Sequence, residues 1–294
     1  MGLVRHYAGN FARGCFPAPV LRGLQRARAT WKTWRHNAGT QRLLRQHGTF
    51  TPQMLHDGLL QHGVRRGCVL MVHSSFGAFG NFQGTAHDVL DILLEIVGSE
   101  GTLAMPAQPA ETTATFDSRR SPTSTGLLCE LFRRVEGTRR SLHPGQSVCA
   151  RGPLADELIG EHHLDPLGCG RLSPFAKLAR VDSQILGLGV SPLYMTFLHV
   201  VEDLDLDRFP CQVYSGQRRV CRVIDATGIE SSFDFPLRDD RVLSMMNFDR
   251  LATHLSARTH WVFDVHGVPC FVGSPSPLLA ELKDLAENGI SLYG

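Results

Sequence analysis

The chain has 294 residues, 43% of them hydrophobic and 20% charged, which is enough to bury a full core and too apolar for a disordered protein. No uninterrupted apolar stretch approaches the roughly 18 residues that cross a bilayer. The eight cysteines never lie closer than ten residues apart, so there is no CxxC knuckle, structural zinc is not expected, and a reducing cytoplasm is the default compartment. The N-terminus lacks the apolar core of a secretion signal.

The net charge of +2 conceals an asymmetry. Residues 1–56 carry nine basic side chains and no acid, whereas the rest of the chain is acidic on balance. Composition changes near Gly48-Thr49, where the Arg-rich segment meets alternating strand-like and helix-like stretches. Cys68–His73 is a short apolar run closed by Ser74, Ser75 and glycines, the pattern of a buried strand feeding a loop. Thr85 opens a helix whose Val89, Ile92, Leu93, Ile96 and Val97 fall at helical spacing. Asp88 completes a capping box there, and Gly98 ends the helix.

Thr102–Met105 reads as the next strand, and Ser124-Thr125 as the cap of a helix bearing Leu127, Leu128, Leu131 and Phe132. Ser147–Ala150 is a strand, Ser173-Pro174 starts a helix through Leu178, Gln184–Val190 is a strand, and Thr196 opens another helix. From Arg208 to Val268 the pattern becomes strand-rich, over Gln212–Asp225 and His260–Val265, before a last helix at Pro277–Asn288. The expected fold is α/β: a mixed, largely parallel sheet flanked by helices, with a strand-rich C-terminal extension. Ligands are then expected at loops after strand C-termini, His73–Ser75 and Ser191–His199 among them.

Motif scanning is informative by what it excludes. GxSxG, GxxxxGK[ST], GxGxxG and HExxH are all missing, which removes serine-hydrolase elbows, P-loops, dinucleotide fingerprints and common zinc proteases. His199 and Glu202 form an HxxE pair without a third ligand at helical spacing, so no metal is expected. Nucleic-acid binding would rest on the Arg-rich N-terminus alone, and it is not expected.

Val72-His-Ser-Ser75 is followed in order by Gly84, Gly101–Pro106, Phe116-Asp117, Ser121-Pro-Thr123 with Gly126, and Glu130–Arg133. Arg140–Pro144 with Ser147, Ser173-Pro174, and Thr196–His199 with Glu202 complete the series. In order and spacing these pieces resemble the aminoglycoside 3-N-acetyltransferase family over about residues 49–205. The resemblance implies transfer of an acetyl group from acetyl-CoA to a primary amine of an aminoglycoside or other amino sugar. The implied fold is distinct from that of the GNAT acyltransferases. Two positions depart from the family pattern: Gln83-Gly84 stands where a double glycine is usual, and Glu161–Asp165 is followed by one extra residue before Ser173.

The resemblance places the catalytic base at His199. Glu202, one helical turn on, is set to orient the imidazole and stabilise its charged form. Ser74, Ser75 and Gly84 are expected on the cofactor side. Thr123 and Gly126 at a helix N-terminus, with Arg140 and Ser141, are expected to meet CoA phosphate. His162 is assigned to the substrate loop, and Asp203 and Asp205 to an acidic wall that would concentrate a polycationic amine. His143 is expected to be structural, and Cys169 is the one cysteine worth testing as reactive.

Residues 1–48 are expected to form a basic arm and 49–294 the acetyl-CoA-dependent N-acetyltransferase domain. Within the arm, Val20, Leu24, Ala27, Trp31 and Trp34 share a stripe flanked by basic residues, a pattern suited to peripheral contact with an anionic membrane through residues 20–38. A helix packed on the domain and a disordered arm are the competing readings. The alternatives for the whole chain are a non-catalytic acyl-CoA-binding or scaffold module, and an acyltransferase of a glycan pathway with a lipid-linked acceptor. Oligomeric state is left open.

Overall fold

The computed structural model describes residues 38–109 and 114–293. The proposed membrane stripe and most of the basic arm lie outside the described residues. The arm's last residues, 38–47, are helical and bring His47 and Leu43 against the turn at Gly267.

Among the described residues, ten strands form two sheets. The larger is ordered β4(Arg139–Arg140), β5(Val148–Arg151), β2(Thr102–Pro106), β1(Val69–Ser74), β6(Ser183–Leu188), β10(Val268–Gly273), β9(His260–Val265). Parallel pairing is confined to its centre, where β1 pairs with β2 on one side and β6 on the other. Both flanks are antiparallel, through β2–β5, β5–β4, β6–β10 and β10–β9. The mixed α/β sheet expected from the sequence is therefore present, but it is parallel only at its centre and not over most of its width as expected. Its outer pairs depend on long-range partners that periodicity does not encode.

The centre is buried on both faces, and strict alternation shows it. Leu70 and Val72 of β1 join one apolar cluster with the helix Ala86–Val97, whereas Val69 and Met71 join the other with Phe175, Phe197 and Phe271. A strand covered on both faces must be apolar throughout, which is why Val69–Val72 reads as a continuous run. The helix Ala86–Val97 carries the expected capping box between Thr85 and Asp88. The smaller sheet, β3(Thr115–Asp117), β7(Tyr214–Ile224), β8(Glu230–Arg238), is the strand-rich extension, with its own core of Phe116, Cys221, Val223 and Phe235.

One helix start differs from expectation. Ser124-Thr125 do not cap the helix; it spans Leu127–Phe132, with Gly126 as its N-cap. The Thr125 hydroxyl bonds Pro106 O, and the Thr123 hydroxyl bonds Gln108 O at 3.0 Å. Tertiary ties to the end of β2 thus hold this segment extended for two more residues, overriding local capping preference. Thr196 likewise opens a single 3₁₀ turn, Thr196–His199, which runs into the helix Val200–Leu204.

Candidate active site

The carboxyl ends of β1 and β6 lie side by side where the sheet's connections diverge, the position at which open α/β sheets take ligands. A cleft of ≈ 1340 Å³ opens there, lined by His73, Ser74 and Ser75 from β1 and its loop, Gly126 and Leu127 at a helix start, and Thr196 and His199. Two glycines let the walls approach. Gly126 (φ 113°) and Gly189 (φ 69°) adopt left-handed backbone, and a Cβ would fall 3.2 Å from Ser74 O in the first case and 2.6 Å from Ser75 O in the second. The result is a slot edged by hydroxyls and backbone amides, dimensions and chemistry that fit an amide-bearing thioester arm such as that of acetyl-CoA.

His199 ends the 3₁₀ turn, and its imidazole lines the cleft. Its Nδ1 lies 2.9 Å from Glu202 Oε1. Glu202 is fully buried and takes two further hydrogen bonds: Tyr293 Oη donates to Oε1 at 2.9 Å, and Arg238 donates to Oε2. Burial works to raise the Glu202 pKa. The His199 and Arg238 charges and their hydrogen bonds overcome it and hold the carboxyl at about 2. An ionised Glu202 accepts from Nδ1–H, so the other ring nitrogen, Nε2, is the one that exchanges a proton. Tyr293 Oη also stands 3.4 Å from His199 Nδ1, which limits rotation of the ring.

The other sequence-derived site residues divide sharply. Ser74, Ser75, Gly126 and His199 line the cleft, and Thr123 sits beside it, its hydroxyl committed to Gln108 O. Gly84 packs against the Phe82 ring and does not line the cleft. Arg140 is buried, donating to Ser121 O at 2.5 Å, to Ser147 Oγ at 3.1 Å and to Ala107 O. It is an internal strut and does not line the cleft. Ser141 Oγ and His162 Nδ1 bond each other at 2.9 Å inside the core, and His162 Nε2 bonds Gly168 O at 3.1 Å. His162 is wholly buried and contributes no substrate loop.

The acidic wall does not form. Asp203 is buried and takes hydrogen bonds from Cys169 N at 2.8 Å, Tyr214 Oη at 2.7 Å and Arg238 at 2.8 Å. Burial raises its pKa against the pull of Arg238. Asp205 faces a separate hollow that also holds Arg171, Arg180, Arg208 and Lys283. Cys169 is fully buried, and burial pushes its thiol well above the usual range, so it is not a reactive nucleophile. His143 is structural as expected: its Nδ1 accepts from Gly145 N and Gln146 N, both at 3.1 Å.

Arg238, Tyr214 and Tyr293 are the residues around the His199–Glu202 pair that sequence reasoning missed. All come from the C-terminal extension, beyond the motif series. A buried arginine at the end of a strand and an aromatic at the last turn of the chain carry no local spacing signal. Among the described residues, no group of three or more His, Cys, Asp or Glu side chains is arranged to hold a metal.

The chain is similar to several known proteins. The aminoglycoside N(3)-acetyltransferase IV of Salmonella sp is 36% identical over 149 residues, covering 49% of this chain and 55% of that protein. The crystallised AAC(3)-IVa–apramycin complex has a TM-score of 0.64 at 26% identity, covering 81% of this chain and 92% of that one. AAC-IIIb, solved as a binary complex with CoASH, shares the fold with a TM-score of 0.66 at 22% identity, over 83% and 98% of the two chains. The sequence alignments span 64%, 55% and 60% of the first three curated relatives' own length. The family profile described as aminoglycoside 3-N-acetyltransferase matches residues 71–285, and the chain belongs to that family.

Proposed function

We propose that this protein transfers an acetyl group from acetyl-CoA to a primary amine of an amino sugar, with His199 as general base and Glu202 as its orienting carboxylate. The observation that carries the reading is the hydrogen bond between His199 Nδ1 and a Glu202 carboxylate held ionised at about 2. With Nδ1–H bound to Glu202, Nε2 is the ring's proton acceptor in the cleft. As the neutral amine nitrogen bonds the acetyl carbon, Nε2 takes the proton that nitrogen must lose, the carbon–sulfur bond of the thioester breaks, and the departing coenzyme A thiolate takes up a proton to leave as the free thiol. Glu202, paired also with Arg238, stabilises the imidazolium so formed.

Acetyl-CoA supplies the activated acyl group. Ser74, Ser75 and the backbone at Gly126 offer its arm hydroxyl and amide partners, and the relative solved with CoASH supports that assignment. The relative solved with apramycin supports an amino-sugar acceptor. The motif-bearing domain is taken to run over 49–294, with 1–48 as its arm. Among the described residues no helix is long and apolar enough to cross a membrane. Incubating the purified full chain with acetyl-CoA and a panel of amino sugars while following thiol release tests the function. No release with any amine from a folded protein that still binds acetyl-CoA would move the reading to a non-catalytic acyl-CoA-binding module.

A further inference from the structure

We infer that Cys129 and Cys149 are a redox-active thiol pair in the wall of the cleft, which a small peroxide closes to a disulfide. The two thiols come from different elements. Cys129 stands in the first turn of the helix Leu127–Phe132 and lines the cleft beside Gly126 and Leu127, whereas Cys149 is the second residue of β5 and does not line it. Both belong to the apolar cluster under the helix Ala86–Val97, and their side chains share a hydrogen bond.

Charge separates this pair from the other cysteines. Arg140 is buried and faces Cys149 across the β4–β5 pair. Its donors go to Ser147 Oγ and to the carbonyls of Ser121 and Ala107, and among the described residues no carboxylate pairs with it. A buried cation without a counter-ion favours ionisation of the acidic groups beside it, and the groups that act most on Arg140 are the Cys149 and Cys129 thiols. The hydrogen bond with Cys149 lowers the Cys129 pKa against the effect of burial, the Arg140 charge adds to it, and Cys149 is pushed well above the usual range. At Cys68, Cys169, Cys211, Cys221 and Cys270 burial raises the thiol instead. The thiolate is the reactive form, which makes Cys129 the nucleophile and Cys149 the resolving thiol.

The Cys129 thiolate attacks one peroxide oxygen, a sulfur–oxygen bond forms as the oxygen–oxygen bond breaks, and the departing hydroxide takes up a proton as water. The Cys149 sulfur then displaces the hydroxyl of that sulfenic acid and loses its own proton, and a second water leaves. Two thiols are oxidised and one peroxide is reduced. A covalent bond brings the sulfurs closer than a hydrogen bond does, so the start of the helix Leu127–Phe132 is drawn towards β5. Gly126 and Leu127 move with it, which narrows the cofactor side of the cleft. That last consequence, unlike the bond itself, rests on the acetyl-transfer reading above.

The test treats the reduced full-length protein with hydrogen peroxide and maps its peptides by mass spectrometry without reductant. The expected product is a peptide pair joined through Cys129 and Cys149, reversed by dithiothreitol, and formed about fivefold or more slowly under saturating acetyl-CoA. Calorimetry should show acetyl-CoA bound about fivefold or more weakly by the oxidised protein. In Cys149→Ala, dimedone should trap a sulfenic acid at Cys129. No 129–149 linkage at peroxide concentrations that oxidise the half-buried Cys211, or a sulfenic acid on Cys149 and none on Cys129, overturns the inference, and the wild-type map decides it even if the variant fails to fold. A linkage that leaves acetyl-CoA binding unchanged overturns its effect on the cleft. Failure of the acetyl-transfer reading looks different: acetyl-CoA then fails to bind the reduced protein as well, while the peptide map still decides the thiol pair.

Discussion

The centre of the large sheet and the C-terminal extension contribute to one site in opposite ways. β1, the loop after β6 and the turn ending at His199 line the cleft, and they are built from contiguous motifs. Residues 208–293 supply Arg238 and Tyr293, which do not line the cleft themselves and hold Glu202 from behind, Tyr293 reaching His199 Nδ1 as well. The first region presents the imidazole. The second holds the carboxylate beside it, and a site split this way is lost by damage to either half through distinguishable routes.

The sharpest separation comes from two substitutions. His199→Ala removes the base from the motif half and should cost about 10²–10⁴ in turnover, with acetyl-CoA binding and urea stability near wild type. Turnover within a few-fold of wild type would remove His199 from the role. Arg238→Leu strikes the other half by leaving Glu202 and Asp203 buried without their counter-ion. Breaking a buried pair of this kind costs about 3–5 kcal/mol, so urea denaturation should show a large loss of stability together with lost activity. Arg218→Leu is the control on the same strand pair. Its partner Asp234 lies 3.0 Å away, both side chains are about half exposed, and the loss should stay below about 1 kcal/mol. Equal losses at the two arginines would mean that the buried network contributes nothing special.

The same division explains what could be read from the sequence. β1, the Thr85 capping box, β6 and the His199–Glu202 spacing are local patterns of period two or 3.6, and each stands where expected. Arg140, Ser141 and His162 carried motif positions but sit in the core, because order along a chain does not say which face a side chain turns to. Asp203 shows this most plainly. Next to Glu202 in sequence, it looked like part of a solvated acidic run, and it is instead clamped by Tyr214, Cys169 N and Arg238, contacts from 11, 34 and 35 residues away. Tyr293 has no motif at all. Only the return of the extension onto the central sheet brings it to Glu202.

Acid stability sharpens the comparison further, since each region buries a histidine. His73 ends β1, and His143 packs against Phe233 and Phe235 of β8. Burial lowers both pKa values from 6.5 to about 4. Unfolding between those values takes up protons that the folded chain does not hold. Stability is therefore complete above pH 6.5 and is lost as pH falls toward 4, by about 1.4 kcal/mol per pH unit for each histidine. Urea midpoints at pH 7 and pH 5 check this, with the lower midpoint expected at pH 5. Identical midpoints would show that the two imidazoles charge as freely folded as unfolded.

The smallest expected effect tests the link between the regions most directly. Tyr293 Oη donates to the same Glu202 oxygen that receives His199 Nδ1, 2.9 Å from each. Burial raises the Tyr293 pKa well above the usual phenol range, so it remains a donor. Tyr293→Phe keeps the ring and deletes that bond, at a cost of about 1 kcal/mol in stability. With one donor fewer, Glu202 is held less firmly and the His199 ring loses the hydroxyl 3.4 Å from its Nδ1 that limits its rotation. Turnover at neutral pH should fall by about fivefold or less, with KM for acetyl-CoA unchanged. A purely structural tyrosine would lower stability and leave turnover at the wild-type level, and that outcome would reduce the extension's role at the base to Arg238 alone.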